Sequence, residues 1–161
     1  MISAKTLLVV GAGASKEVGL PVGSELASSI AALLTFRFDF GSLAQGDATF
    51  FQTLRRHFTD TNVLNSHLSA AAQIREGVTL VNSIDNYIDT HRNDPRIALC
   101  GKAAIVYSIL QAERKSLLRE REIADGSQGI SLSDLNKTWF MAFGRILVDQ
   151  ISTADLDRIF F

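Results

Sequence analysis

Thr6-Leu-Leu-Val-Val-Gly-Ala-Gly-Ala-Ser-Lys-Glu-Val-Gly-Leu-Pro21 is the stretch on which the fold turns. Leu7 to Val10 is a short apolar run rich in branched residues, too short for a core helix. It suits a strand buried on both faces, as in a parallel sheet. Gly11, Ala12, Gly13, Ala14 and Ser15 follow without a polar spacer. Residues this small let a chain turn sharply and let another molecule come close to the backbone. Ser15 to Val18 then fits about a turn and a half of helix, with Gly19 as its stop and Pro21 just beyond. Strand, glycine turn and helix N-terminus in that order leave backbone N–H groups pointing outward, a setting for phosphate or pyrophosphate. Two plainer explanations stand beside this one. Lys5 ahead of apolar and then small residues has the order of a secretory signal, but Leu7 to Val10 falls short of the roughly 7–15 apolar residues such a signal needs. The other is a structural strand-to-helix turn that holds no ligand. The dinucleotide fingerprint G-x-G-x-x-G is met at Gly11 and Gly13 and missed at its third glycine, where Lys16 stands.

The longer string says more than the spacing. Gly11-Ala12-Gly13-Ala14-Ser15, three residues, then Gly19-Leu20-Pro21 resembles GAGxSxxxGIP, the first signature of the sirtuin-like NAD-binding family. In the deacylase sirtuins the proline is followed by Asp-Phe-Arg. Here Val22-Gly23-Ser24-Glu25-Leu26 follows, so a protein deacylase is the poorer match. The chain looks instead like the bacterial sirtuin-like branch of anti-phage defence proteins, whose known members degrade NAD. Ser83-Ile84-Asp85-Asn86-Tyr87 is similar to that branch, as is Gly101-Lys102 followed by Ile105, Ile109-Leu110 and Glu113. The resemblance implies a Rossmann-like, sirtuin-type fold with NAD as its cofactor. It implies Gly11, Ala12, Gly13, Ala14 and Ser15 around the pyrophosphate, Pro21 closing the motif, and Asp85 near the NAD pocket. The family's second signature is an asparagine within Phe-Asn-Tyr-Asp or Gln-Asn-Ile-Asp, followed later by a catalytic histidine. Neither occurs in the sequence, and Asn86-Tyr87-Ile88-Asp89 has a different spacing. No catalytic residue is therefore carried over, and the expectation is that 1–161 is the N-terminal portion of a single sirtuin-like domain. A homo-oligomer, or a partner supplying the rest of the domain, fits that expectation.

Composition sets the outer bounds. A chain of 161 residues is one domain at most, large enough to bury roughly 70% of its unfolded surface. Its 47% apolar and 20% charged residues are those of an ordinary soluble globular protein. A net charge of −1 gives no electrostatic case for nucleic acid or an anionic membrane. Cys100 is the single cysteine, which excludes an intramolecular disulfide and a thiolate metal cluster. No apolar run approaches the roughly 18 residues of a membrane span. The expected compartment is the cytoplasm.

Along the chain, Val22 to Thr35 reads as a helix, with Leu26, Ile30, Leu33 and Leu34 on one face and Ser24 as its cap. Phe36, Phe38 and Phe40 alternate with Arg37 and Asp39, which fits a short strand or a loop with its aromatics tucked inward. Helices are expected over Asp47 to His57 and Asn65 to Glu76, the second ended by Gly77. Ser83 caps a short helix to Thr90 in which Ile84, Tyr87 and Ile88 face inward; Asp85 in its first turn also suits the helix dipole. Asp94-Pro95 is a strong start for the longest helix, Arg96 to about Glu122, buried in its first half and charged in its second. Cys100 falls in the buried half as a small core hydrophobe. Lys102 either carries its stem outward or pairs with an acid such as Asp85. Ala124 to Ser131 reads as a polar surface loop. A last helix is expected from Ser133 or Asp134 to about Ile151, with Trp139 in its apolar stripe and Thr153 capping one more turn. His57, His67 and His91 read as surface or helix-end residues. The expected architecture is α/β and helix-dominated: one glycine-turn strand, roughly six helices, and an incomplete Rossmann-like sheet. Besides NAD hydrolysis, two other functions remain open: a sensor that holds a nucleotide uncleaved, and a helical interaction protein with a structural glycine turn.

Overall fold

Short acidic and hydroxyl side chains start most of the long helices in the computed structural model, which describes residues 9–122 and 128–150. Asp47 accepts the Phe50 N–H at 2.7 Å and opens the helix Ala48–His57. Asp60 accepts from Asn62 and Val63 and opens Thr61–Gly77. The latter helix begins ahead of the expected Asn65 because Asp60 satisfies two of the first-turn donors. Ser83 accepts from Asn86 ahead of Ile84–Thr90. Asp94 accepts the Arg96 N–H at 2.9 Å with Pro95 at the first helical position of Pro95–Lys115. Ser24 is not a cap. The helix Gly23–Leu33 begins at Val22, whose N–H is taken by the Glu25 carboxylate at 3.2 Å.

In chain order the helices are α1 (Ala12–Lys16), α2 (Gly23–Leu33), α3 (Ala48–His57), α4 (Thr61–Gly77), α5 (Ile84–Thr90), α6 (Pro95–Lys115), α7 (Leu132–Leu135) and α8 (Trp139–Gln150), with a 3-10 turn at Val78–Leu80. The strands are β1 (Arg37–Asp39), β2 (Ser42–Gln45), β3 (Arg121–Glu122) and β4 (Gln128–Gly129). β1 pairs with β2 and β3 with β4, both antiparallel. Helix makes up 66% of the described residues, so the architecture is helix-dominated with small antiparallel hairpins. Val9 and Val10 are not in a strand; they are 82% and 51% exposed. A strand buried on both faces needs hydrogen-bonded neighbours, and the described residues offer Val9 and Val10 none. Thr6 to Leu8 lie outside the described residues.

The chain divides into two compact units. One takes in the chain up to Leu20 and again from Glu113; the other is Pro21–Ala112. The Pro21–Ala112 unit holds a continuous apolar core. α2 packs against α4, α5 and the 3-10 turn. Ile30, Leu34, Ile74, Val78, Ile97 and Cys100 are almost wholly removed from water. Each of the large aliphatic side chains stabilises the fold by roughly 1.5–3 kcal/mol through burial. Cys100 is a core residue as expected; its thiol faces the His67 carbonyl at 3.4 Å. Burial, with the nearby Asp94 charge, pushes that thiol up to about 11.

Phe36 to Gly46 forms the β1–β2 hairpin, the strand alternative of the sequence reading. Phe36 stacks on Phe50, and Phe38 meets Phe51 edge-on at 5.3 Å. Gly46 ends the hairpin at φ 126, and a Cβ there would sit 2.8 Å from the Thr35 carbonyl oxygen. Behind the hairpin, the Tyr107 hydroxyl donates to Asp47 at 2.9 Å, tying α6 to the start of α3 through the same carboxylate oxygen that caps it.

α6 stops at Lys115, short of the expected Glu122. Ser116 explains the stop. Its hydroxyl donates to the Val18 carbonyl at 2.8 Å and takes the Leu118 N–H, offering the backbone an alternative to another helical turn. The last expected helix is broken into α7 and α8. Thr138 lies at the break, its hydroxyl donating to Leu135 and accepting from Met141. Of the expected loop Ala124 to Ser131, Gln128 and Gly129 form β4, and 124–127 lie outside the described residues. Ile151 and Thr153 lie outside them as well.

Candidate functional site

The glycine turn becomes the N-terminus of α1. Gly11 is its N-cap, with extended backbone at φ −93 and ψ 171, and Ala14 N–H closes back on the Gly11 carbonyl at 3.0 Å. Helix geometry leaves the Ala12 and Gly13 N–H groups without an intrahelical acceptor. Gly11, Ala12 and Gly13 are exposed, and Ala14 and Ser15 are half-buried. Neither Gly11 nor Gly13 has a positive φ, and a Cβ added at either would meet nothing within 4 Å. Packing within the described chain therefore gives no reason for glycine at these two positions.

The other end of α1 is held firmly. The Trp139 indole N–H donates to the Ala14 carbonyl at 2.8 Å. The Glu17 carboxylate takes the Trp139 backbone N–H at 2.6 Å, placing a negative charge at the start of α8 where the helix dipole favours it. The Val18 carbonyl accepts both the Leu117 N–H at 3.0 Å and the Ser116 hydroxyl. Gly19 at φ 92 then turns the chain out of the helix, as its position predicted. One end of α1 is pinned by four hydrogen bonds from distant residues; at the other, no described residue would meet a Cβ added at Gly11 or Gly13.

Trp139, placed in the apolar stripe by the sequence, is only half-buried and acts as a clamp on α1. Glu17, Ser116 and Trp139 are the site-forming residues that sequence reasoning missed. Nothing local marks them, since their partners lie far along the chain.

Pro21 and Asp85 belong to the Pro21–Ala112 unit, whereas Gly11 to Ser15 belong to the other. Pro21 is half-buried at the start of its unit. Asp85 is exposed in the first turn of α5 beside the Ser83 cap, while Ile84 and Tyr87 turn inward and Ile88 is half-buried, as predicted. Lys102 is exposed on α6 and makes no ion pair with Asp85, so its stem runs outward. His57 and His91 are helix-end residues as expected, whereas His67 is half-buried within α4. His57 ends α3, His67 lies over Phe58 with its ring nitrogen on the Val63 carbonyl, and His91 caps α5 against Tyr87. Among the described residues no group of His, Cys, Asp or Glu is arranged to hold a metal ion. No helix among them is long and apolar enough to cross a membrane.

No family model, no curated protein and no solved structure matches this chain.

Proposed function

We propose that this chain is the N-terminal part of a sirtuin-like NAD-binding protein of the NAD-hydrolysing, anti-phage defence type. Gly11 to Ser15 would cradle the pyrophosphate as the first turn of a Rossmann-like fold. The observation that carries the proposal is the bare N-terminal end of α1. Gly11 and Gly13 have ordinary φ values, and no described residue lies within 4 Å of a Cβ added at either, which leaves room for a ligand to approach the backbone. The clamp of Trp139, Glu17 and Ser116 on the far end keeps that turn in place without a ligand. NAD cleavage needs groups that position water or stabilise positive charge at the ribose carbon. Those groups belong to the second signature, which this sequence does not carry. We assign the protein to the cytoplasm, acting on NAD or a related nucleotide.

Titration calorimetry of the folded chain with NAD is the test. Binding is expected, and Gly13→Asp should abolish it, because a carboxylate at that turn repels pyrophosphate. The substitution has room, so circular dichroism should be unchanged. Binding that survives Gly13→Asp, or a folded chain that does not bind NAD at all, overturns the cradle. The same clamp also suits a purely structural turn in a helical interaction protein, and this is the function left standing if NAD does not bind.

A further inference from the structure

We propose that β1 is a self-association edge: two copies of this protein pair antiparallel through Phe38, with Arg37 of each opposite Asp39 of the other. The inference rests on the hairpin and is independent of NAD.

The hairpin geometry decides which backbone groups are available. Asp39 faces Ser42 across the two-residue turn Phe40-Gly41, and Phe38 faces Leu43. In a two-residue hairpin the pair flanking the turn exchanges its hydrogen bonds, and the next pair does not. The Phe38 N–H and C=O therefore point away from β2. The sheet has two strands, so no other described strand covers that side. Arg37, Phe38 and Asp39 are all exposed.

The sequence of the edge then selects its occupant. Arg37-Phe38-Asp39 is self-complementary about its centre. When a second copy runs antiparallel with Phe38 opposite Phe38, each Arg37 faces an Asp39 on one side of the new sheet. A parallel arrangement would set like charges side by side, which is destabilising. On the other side of the sheet, Phe38 lies beside its equivalent and Phe40 falls opposite Phe36 of the second copy. Phe40 needs such an explanation. It is 101% exposed and holds a positive φ of 46 at a turn position that favours Asn or Gly. Nothing among the described residues repays a bulky apolar residue there. The symmetry is that of an isologous two-fold dimer.

Arg37→Asp and Asp39→Arg supply the test, since both residues are exposed and either change leaves the core intact. Sedimentation equilibrium of the full chain is read from about 10 μM to about 1 mM, the range in which an interface this small associates. The wild type is expected to form dimers. Each single variant should weaken association about tenfold, because two facing pairs become like-charged. An equimolar mixture of the two variants should recover dimers, since the wholly acidic edge of one then meets the wholly basic edge of the other at both facing pairs. A wild type that stays monomeric throughout the range overturns the proposal. So does a dimer indifferent to the single changes, or a mixture that fails to recover.

Discussion

Gly77 and Gly101 differ from Gly11 and Gly13 in what surrounds them. A Cβ at Gly77 would overlap the Tyr87 ring, and one at Gly101 would sit 2.7 Å from the Ile88 terminal methyl. These glycines let α4 and α6 close onto α5, and the helical core of the Pro21–Ala112 unit depends on that approach. At Gly11 and Gly13 the space is open. The same residue type thus serves packing in one region and leaves a surface bare in the other. Glycine alone carries neither meaning; the neighbouring atoms assign it.

The largest effect should come from closing the packed glycine. Gly77→Ala must displace the Tyr87 ring and its hydrogen bond to the Gln73 carbonyl, and is expected to cost about 2 kcal/mol or more in urea unfolding. A loss below about 0.5 kcal/mol would mean the ring moves aside freely. Trp139→Phe keeps an aromatic ring, though a smaller one, and removes the indole donor to Ala14. It should cost about 1 kcal/mol, read best as faster amide exchange in α1. Gly13→Ala is the counterpart of Gly77→Ala. It should leave stability within about 0.5 kcal/mol and weaken NAD binding, separating the two uses of glycine in one pair of variants.

The smallest effect is a pH dependence at the start of α6. The Arg96 side chain, hydrogen-bonded to Asp94, holds the Asp94 carboxyl down at about 2. A carboxyl lowered on folding contributes stability that is fully present above its unfolded range, near roughly 3.9, and is lost as pH falls through its folded value. Arg96→Gln should therefore move the acid loss of stability to higher pH. Because Arg96 is exposed and Asp94 only half-buried, solvent screens the pair; the shift in urea midpoint should be small, and none at pH 7 beyond the lost pair. Unchanged acid behaviour in the variant would show that Asp94 is not held by Arg96.

Much of the helical frame was legible residue by residue. Ser83 and Asp94 cap helices within three residues of themselves, and the apolar positions Ile30, Leu34, Phe50, Leu54, Ile84 and Tyr87 recur at helical spacing on buried faces. The alternation of Phe36, Phe38 and Phe40 allowed a short strand or a tucked loop, and the structure takes the strand, over Arg37–Asp39. The errors fall where a side chain found a better partner than its position suggests: Glu25 at the start of α2 in place of Ser24, Ser116 at the end of α6, Thr138 between α7 and α8. Of the candidate site, the small residues Gly11 to Ser15 and the stop at Gly19 could be read directly. The strand expected there is not found at Val9 and Val10, because apolar content alone does not supply the neighbours a strand needs.

The sequence by itself determined the helix starts at Ser83 and Asp94, the apolar stripes, the buried single cysteine and the small-residue turn. Tertiary structure decided the rest. The Ser116 hydroxyl reaches Val18 across 98 positions and the Trp139 indole reaches Ala14 across 125. Hydrogen bonds over such separations leave no local pattern, since either partner would be equally content with water in another fold. They pin one end of α1, and the open space at the other end is what makes its glycines informative.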